Sequence, residues 1–363
     1  MKAVVIDYKA PTYQTDAGAL DTFNMLIALL EFFDEVTFLS TRPYSEPPDV
    51  YLELRQKGVR VINFEANDFV DFFQKQDFAD VSHFFLYRPG VAYATLPIIR
   101  KKYLSAKIFY FTVDLHHLRM HREYKLTGNS SLKEPAENYK RLELSLISAA
   151  DFSMVVSDFE REYLIKECSV DPSKVVYMPI YRPMLQNSKK FAERDGVIFI
   201  GGFLHQPNVD GLNWFIQKVL PLLTQLPGKI GYKVYGSNMP DQWKSINIPN
   251  FEFVGFKEDL TGVLETARVT IAPLRYGAGI KGKVVQSICS ALPCVCTSTA
   301  AEGMSNESSG LIVADSHSAF AAGVHLCHEN ENFWNNSFNQ MIQYRENFSR
   351  ERFLSVLRGL VST

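Results

Sequence analysis

The feature that most constrains this chain is its rhythm. Short runs of β-branched and aromatic residues alternate with helical patterns almost from end to end. Val4-Val5-Ile6, Val36-Thr37-Phe38-Leu39, Val59-Arg60-Val61-Ile62, His83-Phe84-Phe85-Leu86, Ile108-Phe109-Tyr110-Phe111 and Phe152-Ser153-Met154-Val155-Val156 are too short for helices and rich in strand formers. After the first of them, Phe23, Leu26, Ile27 and Leu30 fall on one stripe of a helix. Strands separated by helices cannot pair as hairpins. They join through right-handed βαβ crossovers into a parallel sheet covered on both faces.

The rhythm breaks between Met178 and Asp195, where Pro179, Pro183 and the polar run Gln186-Asn187-Ser188-Lys189-Lys190 read as an interdomain linker. A second strand series follows: Val197-Ile198-Phe199-Ile200, Tyr232-Lys233-Val234, Phe251-Glu252-Phe253-Val254, Val269-Thr270-Ile271-Ala272 and Cys294-Val295-Cys296. A length of 363 residues fits two domains. The expected architecture is α/β, two doubly wound parallel-sheet domains facing a central cleft. The boundaries expected are residues 1–185 for the first domain, 186–345 for the second, and a C-terminal helix over 346–363 that packs back on the first.

Composition narrows the function classes. Thirty-eight basic against 40 acidic residues give a formal charge of −2, so no global field favours nucleic acid, and an anion site must be local. Apolar residues at 46% support sizeable cores, and no apolar run approaches the roughly 18 residues of a membrane-spanning helix. The start, Met1-Lys2-Ala3-Val4-Val5-Ile6-Asp7, reads as a buried strand rather than a signal peptide. Five cysteines (Cys168, Cys289, Cys294, Cys296 and Cys327) lack disulfide or zinc spacing and point to reduced thiols and the cytoplasm.

The densest chemical signal is Ala272-Pro273-Leu274-Arg275-Tyr276-Gly277-Ala278-Gly279-Ile280-Lys281-Gly282-Lys283, between a strand and a helix beginning near Lys283. Glycines let a backbone approach a ligand closely, and a helix N-terminus presents N–H groups to an anion. Arg275, Lys281 and Lys283 concentrate positive charge there, so a phosphate or diphosphate is the natural partner; the alternative is a tight turn with solvated basic residues. Gly277, Gly279 and Gly282 also fit the dinucleotide fingerprint G-x-G-x-x-G, with Glu302 about 20 residues on. Its late position and its lysines oppose that reading, which keeps an NAD-dependent oxidoreductase as a third alternative. No P-loop, Gly-x-Ser-x-Gly or Asp-x-Asp motif occurs.

The stretch from Val269 to Met304 resembles the donor-binding segment of family 4 (group 1) glycosyltransferases, retaining enzymes of the GT-B fold, in the subgroup with Arg-x-Gly-x-Gly-x-Lys. The similarity runs through the loop above, Ala291-Leu292-Pro293-Cys294-Val295 and Ala301-Glu302-Gly303-Met304. It continues in Phe199-Ile200-Gly201-Gly202 with Pro207-Asn208-Val209-Asp210, in Val254-Gly255-Phe256 before Asp259-Leu260, in Asp16-Ala17-Gly18 and in Asp114-Leu115-His116-His117-Leu118-Arg119. One departure stands out. Two glutamates with seven residues between them are common in the family, and Ala278 and Gln286 occupy those positions here; an amide still bonds ribose hydroxyls but brings no charge.

The resemblance implies a hexosyltransferase-class enzyme (EC 2.4) that moves a sugar from a UDP, GDP or dTDP donor to a glycan or lipid-linked acceptor, with retention and no metal, in surface polysaccharide synthesis. Arg275, Lys281 and the backbone from Gly279 to Gly282 would then stabilise the departing diphosphate. His116 first and His117 second would face the transferred sugar, against the alternatives of a polar helix start or a metal site including His121. The expected donor contacts are Gly18, Gly202, His205, Tyr235, Gly255, Phe256, Gly277, Gly279, Ile280, Lys281, Gly282, Lys283 and Gln286. His205 reads equally as a surface-loop residue. Ser157 and Glu160 have capping-box spacing, with a donor contact of Glu160 as the alternative. Arg100, Lys101, Lys102 and Lys107 form either a solvated face or a peripheral contact with the inner membrane face. Expected cofactors are none, and the rival function is a non-catalytic module that binds a nucleotide sugar or glycan.

Overall fold

A computed structural model describes residues 1–14, 17–65, 68–186, 189–244, 247–304 and 308–362. The chain divides into two units, Met1–Ile180 with the residues from Phe353 onward, and Tyr181–Arg352. In the first unit, β1 (Lys2–Asp7), β2 (Glu35–Ser40), β3 (Val59–Ile62), β4 (Val81–Tyr87), β5 (Lys107–Phe111), β6 (Phe152–Val155) and β7 (Val175–Tyr177) form one sheet in the order β3-β2-β1-β4-β5-β6-β7. Every ladder in it is parallel. The central strand β1 pairs Val5 with Phe38 on one side and Phe85 on the other, and Val4, Val5 and Ile6 are wholly buried. This is why the run reads as continuously apolar rather than alternating.

The second unit repeats the plan. Strands β8 (Asp195–Ile200), β9 (Tyr232–Tyr235), β10 (Phe251–Gly255), β11 (Ala267–Ala272), β12 (Cys294–Cys296) and β13 (Ile312–Val313) run in the order β10-β9-β8-β11-β12-β13, again parallel throughout. In both sheets the strand order reverses beside the first strand, between β1 and β4 and between β8 and β11. The connections leaving the carboxyl ends of those strands turn to opposite faces of the sheet, and the crevice outside such strand ends is the place where open α/β sheets bind ligands.

Two strands, β7 and β13, lie outside the sequence-based strand set; each is a sheet edge of three residues or fewer. The stretch read as a linker is largely docked on the second unit: Arg182 N–H donates to Phe348 O at 3.2 Å and Leu185 N–H to Cys289 O at 3.2 Å. Arg194 is buried, donates to Lys189 O (3.1 Å) and Ala267 O (3.3 Å), and lies 5.1 Å from the Trp334 ring centroid. Burial pushes its pKa down to about 10. Asn187 and Ser188 of that stretch lie outside the described residues. The last helix, Arg350–Val361, places Arg358 5.8 Å from the Phe32 ring centroid in the first unit. Among the described residues no helix is long and apolar enough to cross a membrane, and no three His, Cys, Asp or Glu side chains are grouped to hold a metal ion. All five cysteines are free thiols, four of them buried.

Candidate functional site

At the crevice of the second sheet, β8 runs into Gly201-Gly202 and β11 runs into the glycine-lysine loop. Lys283, in the first turn of the helix Gly282–Cys289, reaches across between them. Its Nζ donates to Asn208 Oδ1 at 2.6 Å and lies 4.1 Å from the Phe199 ring centroid. Asn208 in turn donates to Gly202 O at 2.7 Å. A Cβ on Gly201 would stand 2.8 Å from Lys283 Nζ and 2.9 Å from Asn208 Nδ2, so a larger residue there would push both side chains aside. Among the described residues no carboxylate lies within ion-pair distance of this cation, and burial pushes its pKa down to about 7. An ammonium with neutral partners alone is costly, and an anion arriving at the crevice would relieve that cost.

The rest of the loop is organised around this point. Gly277 (φ +156°) and Gly279 (φ +67°) are buried. Lys281 is the residue before the helix, 8% exposed; its Nζ donates to Gly279 O at 2.6 Å and lies 3.9 Å from Glu302 Oε1. Lys281 therefore ties the loop together, while Lys283 stands between Gly201 and Asn208. Arg275 is exposed and grips Asp210 with two bonds, Nε to Oδ2 at 2.8 Å and Nη2 to Oδ1. This pair ties the loop to the helix Gln206–Trp214. Ile280, Gly282 and Gln286 are half-buried.

The neighbouring strand ends are laced together. Gly201 N–H donates to Tyr235 O at 3.0 Å and Gly236 N–H to Gly255 O at 2.9 Å. A Cβ on Gly236 would fall 1.8 Å from Gly201 O. The Tyr235 side chain is packed with Ile198, Leu264 and Leu292, so only its backbone faces the strand ends, and burial raises its pKa. His205 is exposed ahead of the helix Gln206–Trp214, and Phe256 is 53% exposed after β10.

In the first unit, the carboxyl ends of β1 and β4 bring Asp7 to Arg88 (Oδ1 to Nε, 2.9 Å) and to Thr22, whose hydroxyl donates to Asp7 Oδ2 at 2.8 Å. Gly18 is half-buried near the start of the helix Ala17–Leu29, and its carbonyl accepts from Thr22 at 3.2 Å; Asp16 lies outside the described residues. After β5 the chain passes through Val113 at φ +67° and enters the helix His116–Thr127. That helix start has no cap of its own. The fully buried Glu143 supplies one, accepting from His116 N (2.8 Å), His117 N (3.2 Å) and His117 Nδ1 (2.5 Å). Glu160 accepts from Leu115 N at 3.0 Å, while Ser157 caps its own helix through Glu160 N at 3.1 Å.

The two histidines differ. His117 is 3% exposed and its Nε2 is 3.1 Å from the Tyr163 hydroxyl, so both ring nitrogens are engaged inside the fold. His116 keeps about a fifth of its side chain exposed. Asn208, Asp210 and Glu143 had no assigned role in the sequence; the first two fall in Pro207-Asn208-Val209-Asp210 but meet their partners 75 and 65 residues away. At the helix end Pro89–Lys102, Arg100 pairs with Asp151 (2.9 Å) and Lys102 donates to Gln74 O and Gln76 O (2.8 Å each), while Lys101 is exposed.

Comparison with known proteins follows the same division. A family model, Glycosyl transferases group 1, matches residues 194–330, within the second unit. A Klebsiella pneumoniae protein, described as an uncharacterized 44.6 kDa protein in the cps region, is 24% identical over 216 residues; the match spans 55% of this chain and 55% of that protein. Among solved structures, sucrose-phosphate synthase from Thermosynechococcus elongatus superposes with a TM-score of 0.77 at 12% identity, covering 100% of this chain and 98% of that one. HepE from Anabaena, solved in complex with UDP-glucose, gives 0.75 at 11% identity with 100% of both chains covered. At such identities the likeness is one of fold: the chain has the two-domain GT-B fold of these glycosyltransferase structures.

Proposed function

We propose that the chain is a glycosyltransferase of the group 1 family, of the EC 2.4 class, that takes a nucleotide sugar on its second unit and a glycan or lipid-linked acceptor on its first. The single observation that carries this reading is Lys283, a half-buried lysine whose ammonium has only neutral partners at the crevice where two glycine-rich strand ends meet. A sugar diphosphate supplies the missing negative charge. The family match over residues 194–330 and the UDP-glucose complex of HepE support a nucleotide sugar over other anions. The cps-region relative supports polysaccharide biosynthesis.

In the proposed reaction the bond from the anomeric carbon to the diphosphate oxygen breaks, and the acceptor oxygen bonds that carbon from the same face. A diphosphate oxygen takes the acceptor's proton, so configuration is retained. Lys283, Arg275, Lys281 and the glycine backbone offset the charge that develops on the leaving diphosphate, the task a metal performs elsewhere. His116 contacts the sugar.

A thermal-shift panel of UDP, GDP, dTDP, CMP and NAD tests the reading. The expected result is stabilisation by one nucleoside diphosphate, abolished in Lys283→Ala, with no response to NAD. Stabilisation by NAD alone would instead favour an oxidoreductase. Nucleotide binding without sugar transfer from any donor would favour the non-catalytic module, the reading that Gln286 supports.

A further inference from the structure

About one turn of the helix Gln206–Trp214 clamps the glycine-lysine loop at three points. Asn208 accepts from Lys283 Nζ at 2.6 Å, and Asp210 holds Arg275 through Nε at 2.8 Å and through Nη2. Gly211 is buried, and a Cβ on it would stand 2.5 Å from Pro273 O, so the helix and loop backbones are in direct contact there. Leu274 and Tyr276, on either side of Arg275, are each 3% exposed and anchor the backbone that carries the guanidinium. The Arg275 side chain itself stays 35% exposed. Its Nη1 has no hydrogen-bond or ion-pair partner among the described residues.

An exposed ion pair adds little to stability, so stability does not account for a two-pronged grip on this cation. What such a grip supplies is orientation. A carboxylate engaging Nε and Nη2 fixes the plane of the guanidinium and leaves the Nη1 edge to donate elsewhere. We infer that Asp210 is a positioning residue for Arg275, holding the guanidinium so that its Nη1 edge donates to the diphosphate of the donor. The identity of that anion rests on the glycosyltransferase reading, whereas the grip rests on geometry alone. Orientation and simple electrostatics predict opposite outcomes. Asp210 is an anion beside a site for anions, so its charge alone opposes diphosphate binding and its removal would help. A residue that aims a cation at the leaving group matters most where charge develops, which is in kcat.

A double-mutant cycle on the full chain separates the two: wild type, Asp210→Ala, Arg275→Ala and both together. Calorimetry with UDP, GDP and dTDP gives Kd, and sugar release from the matching donors gives kcat and KM. Asp210→Ala is expected to lower kcat about tenfold or more, with Kd within about threefold of wild type. Once Arg275 is absent, the same substitution should have no further effect. Arginine side-chain 15N–1H spectra of the unliganded protein, with Arg275→Ala assigning the signal, report the grip without any substrate. The Arg275 Nε–H should exchange with water about tenfold faster in Asp210→Ala.

A kcat equal to or above wild type in Asp210→Ala overturns the inference. So does an undiminished loss when Asp210→Ala is added to Arg275→Ala, or an Nε–H whose exchange is unchanged. A faster-exchanging Nε–H in a protein that binds no nucleoside diphosphate and transfers no sugar would leave the grip standing and remove the glycosyltransferase reading, so the two failures are distinguishable.

Discussion

The pKa of Lys283 is pushed from the ordinary 10.5 to about 7 by burial, and its hydrogen-bond partner, Asn208, is neutral. In the unfolded chain it titrates near the ordinary value. Below pH 7 both states are charged and the native state bears the full penalty. Between pH 7 and about 10.5 the unfolded state binds more protons, so this group's contribution to stability improves as pH rises. The gap corresponds to a ceiling of roughly 5 kcal/mol. Replacing the ammonium by an apolar side chain of similar length removes that penalty along with the bond to Asn208, so Lys283→Met should stabilise the free protein at pH 6 by about 1–4 kcal/mol. Diphosphate binding reverses the sign. Only the ammonium form pairs with the anion, so binding takes up a proton above pH 7, and the apparent affinity falls about fivefold from pH 7 to 8 and about 50-fold from pH 7 to 9. The phosphates of UDP are fully ionised over that range (second pKa about 6), and a guanidinium such as that of Arg275 does not titrate there. Calorimetric titration with UDP at pH 7, 8 and 9, in buffers of different ionisation enthalpy, measures both affinity and proton uptake. A Kd that stays flat from pH 7 to 9 with no proton uptake would refute the assignment of Lys283 as the diphosphate cation. A strongly destabilised Lys283→Met would refute the view that its charge is an uncompensated burden.

Three other outcomes follow from the geometry. Gly236→Ala drives a Cβ to 1.8 Å from Gly201 O and should cost about 3 kcal/mol or more in denaturant unfolding while displacing the Gly201-Gly202 turn, so UDP binding weakens together with stability. Glu143→Ala strips the acceptor from two backbone N–H groups and from His117 Nδ1; a loss of about 3–5 kcal/mol in chemical denaturation is expected, and a change under 1 kcal/mol would contradict its capping role. Asp210→Ala breaks an exposed ion pair and should move stability by less than about 1 kcal/mol, whereas Arg275→Ala should lower sugar release from the donor by about 100-fold.

Much of the fold was legible because central strands of a parallel sheet are apolar on both faces. Val4-Val5-Ile6 and Val269-Thr270-Ile271 announce themselves without any partner in view. Strand β13 could not be read: Ile312–Val313 owes its pairing to β12, since two residues have no period. Strand β7 follows a proline turn and merges with what reads as a linker. In the site, the glycine-lysine loop was visible because its residues are contiguous, but the division of labour within it was not. Lys281 and Lys283 are two residues apart and look alike in sequence; the helix start turns one toward Gly279 O and the other toward Asn208. Glu143 was invisible for a different reason. In the amphipathic helix Lys133–Ala149 it reads as one more solvated charge, and only the fold brings the open end of the His116–Thr127 helix against it.

Release of nucleoside diphosphate from a panel of UDP-, GDP- and dTDP-sugars, wild type beside Lys283→Met, tests whether Lys283 serves sugar transfer. Release above the uncatalysed rate is expected from at least one donor, with a loss of about 100-fold or more in the variant although that variant is the more stable protein. Equal release by the two proteins, or none from any donor together with no diphosphate binding, would contradict it.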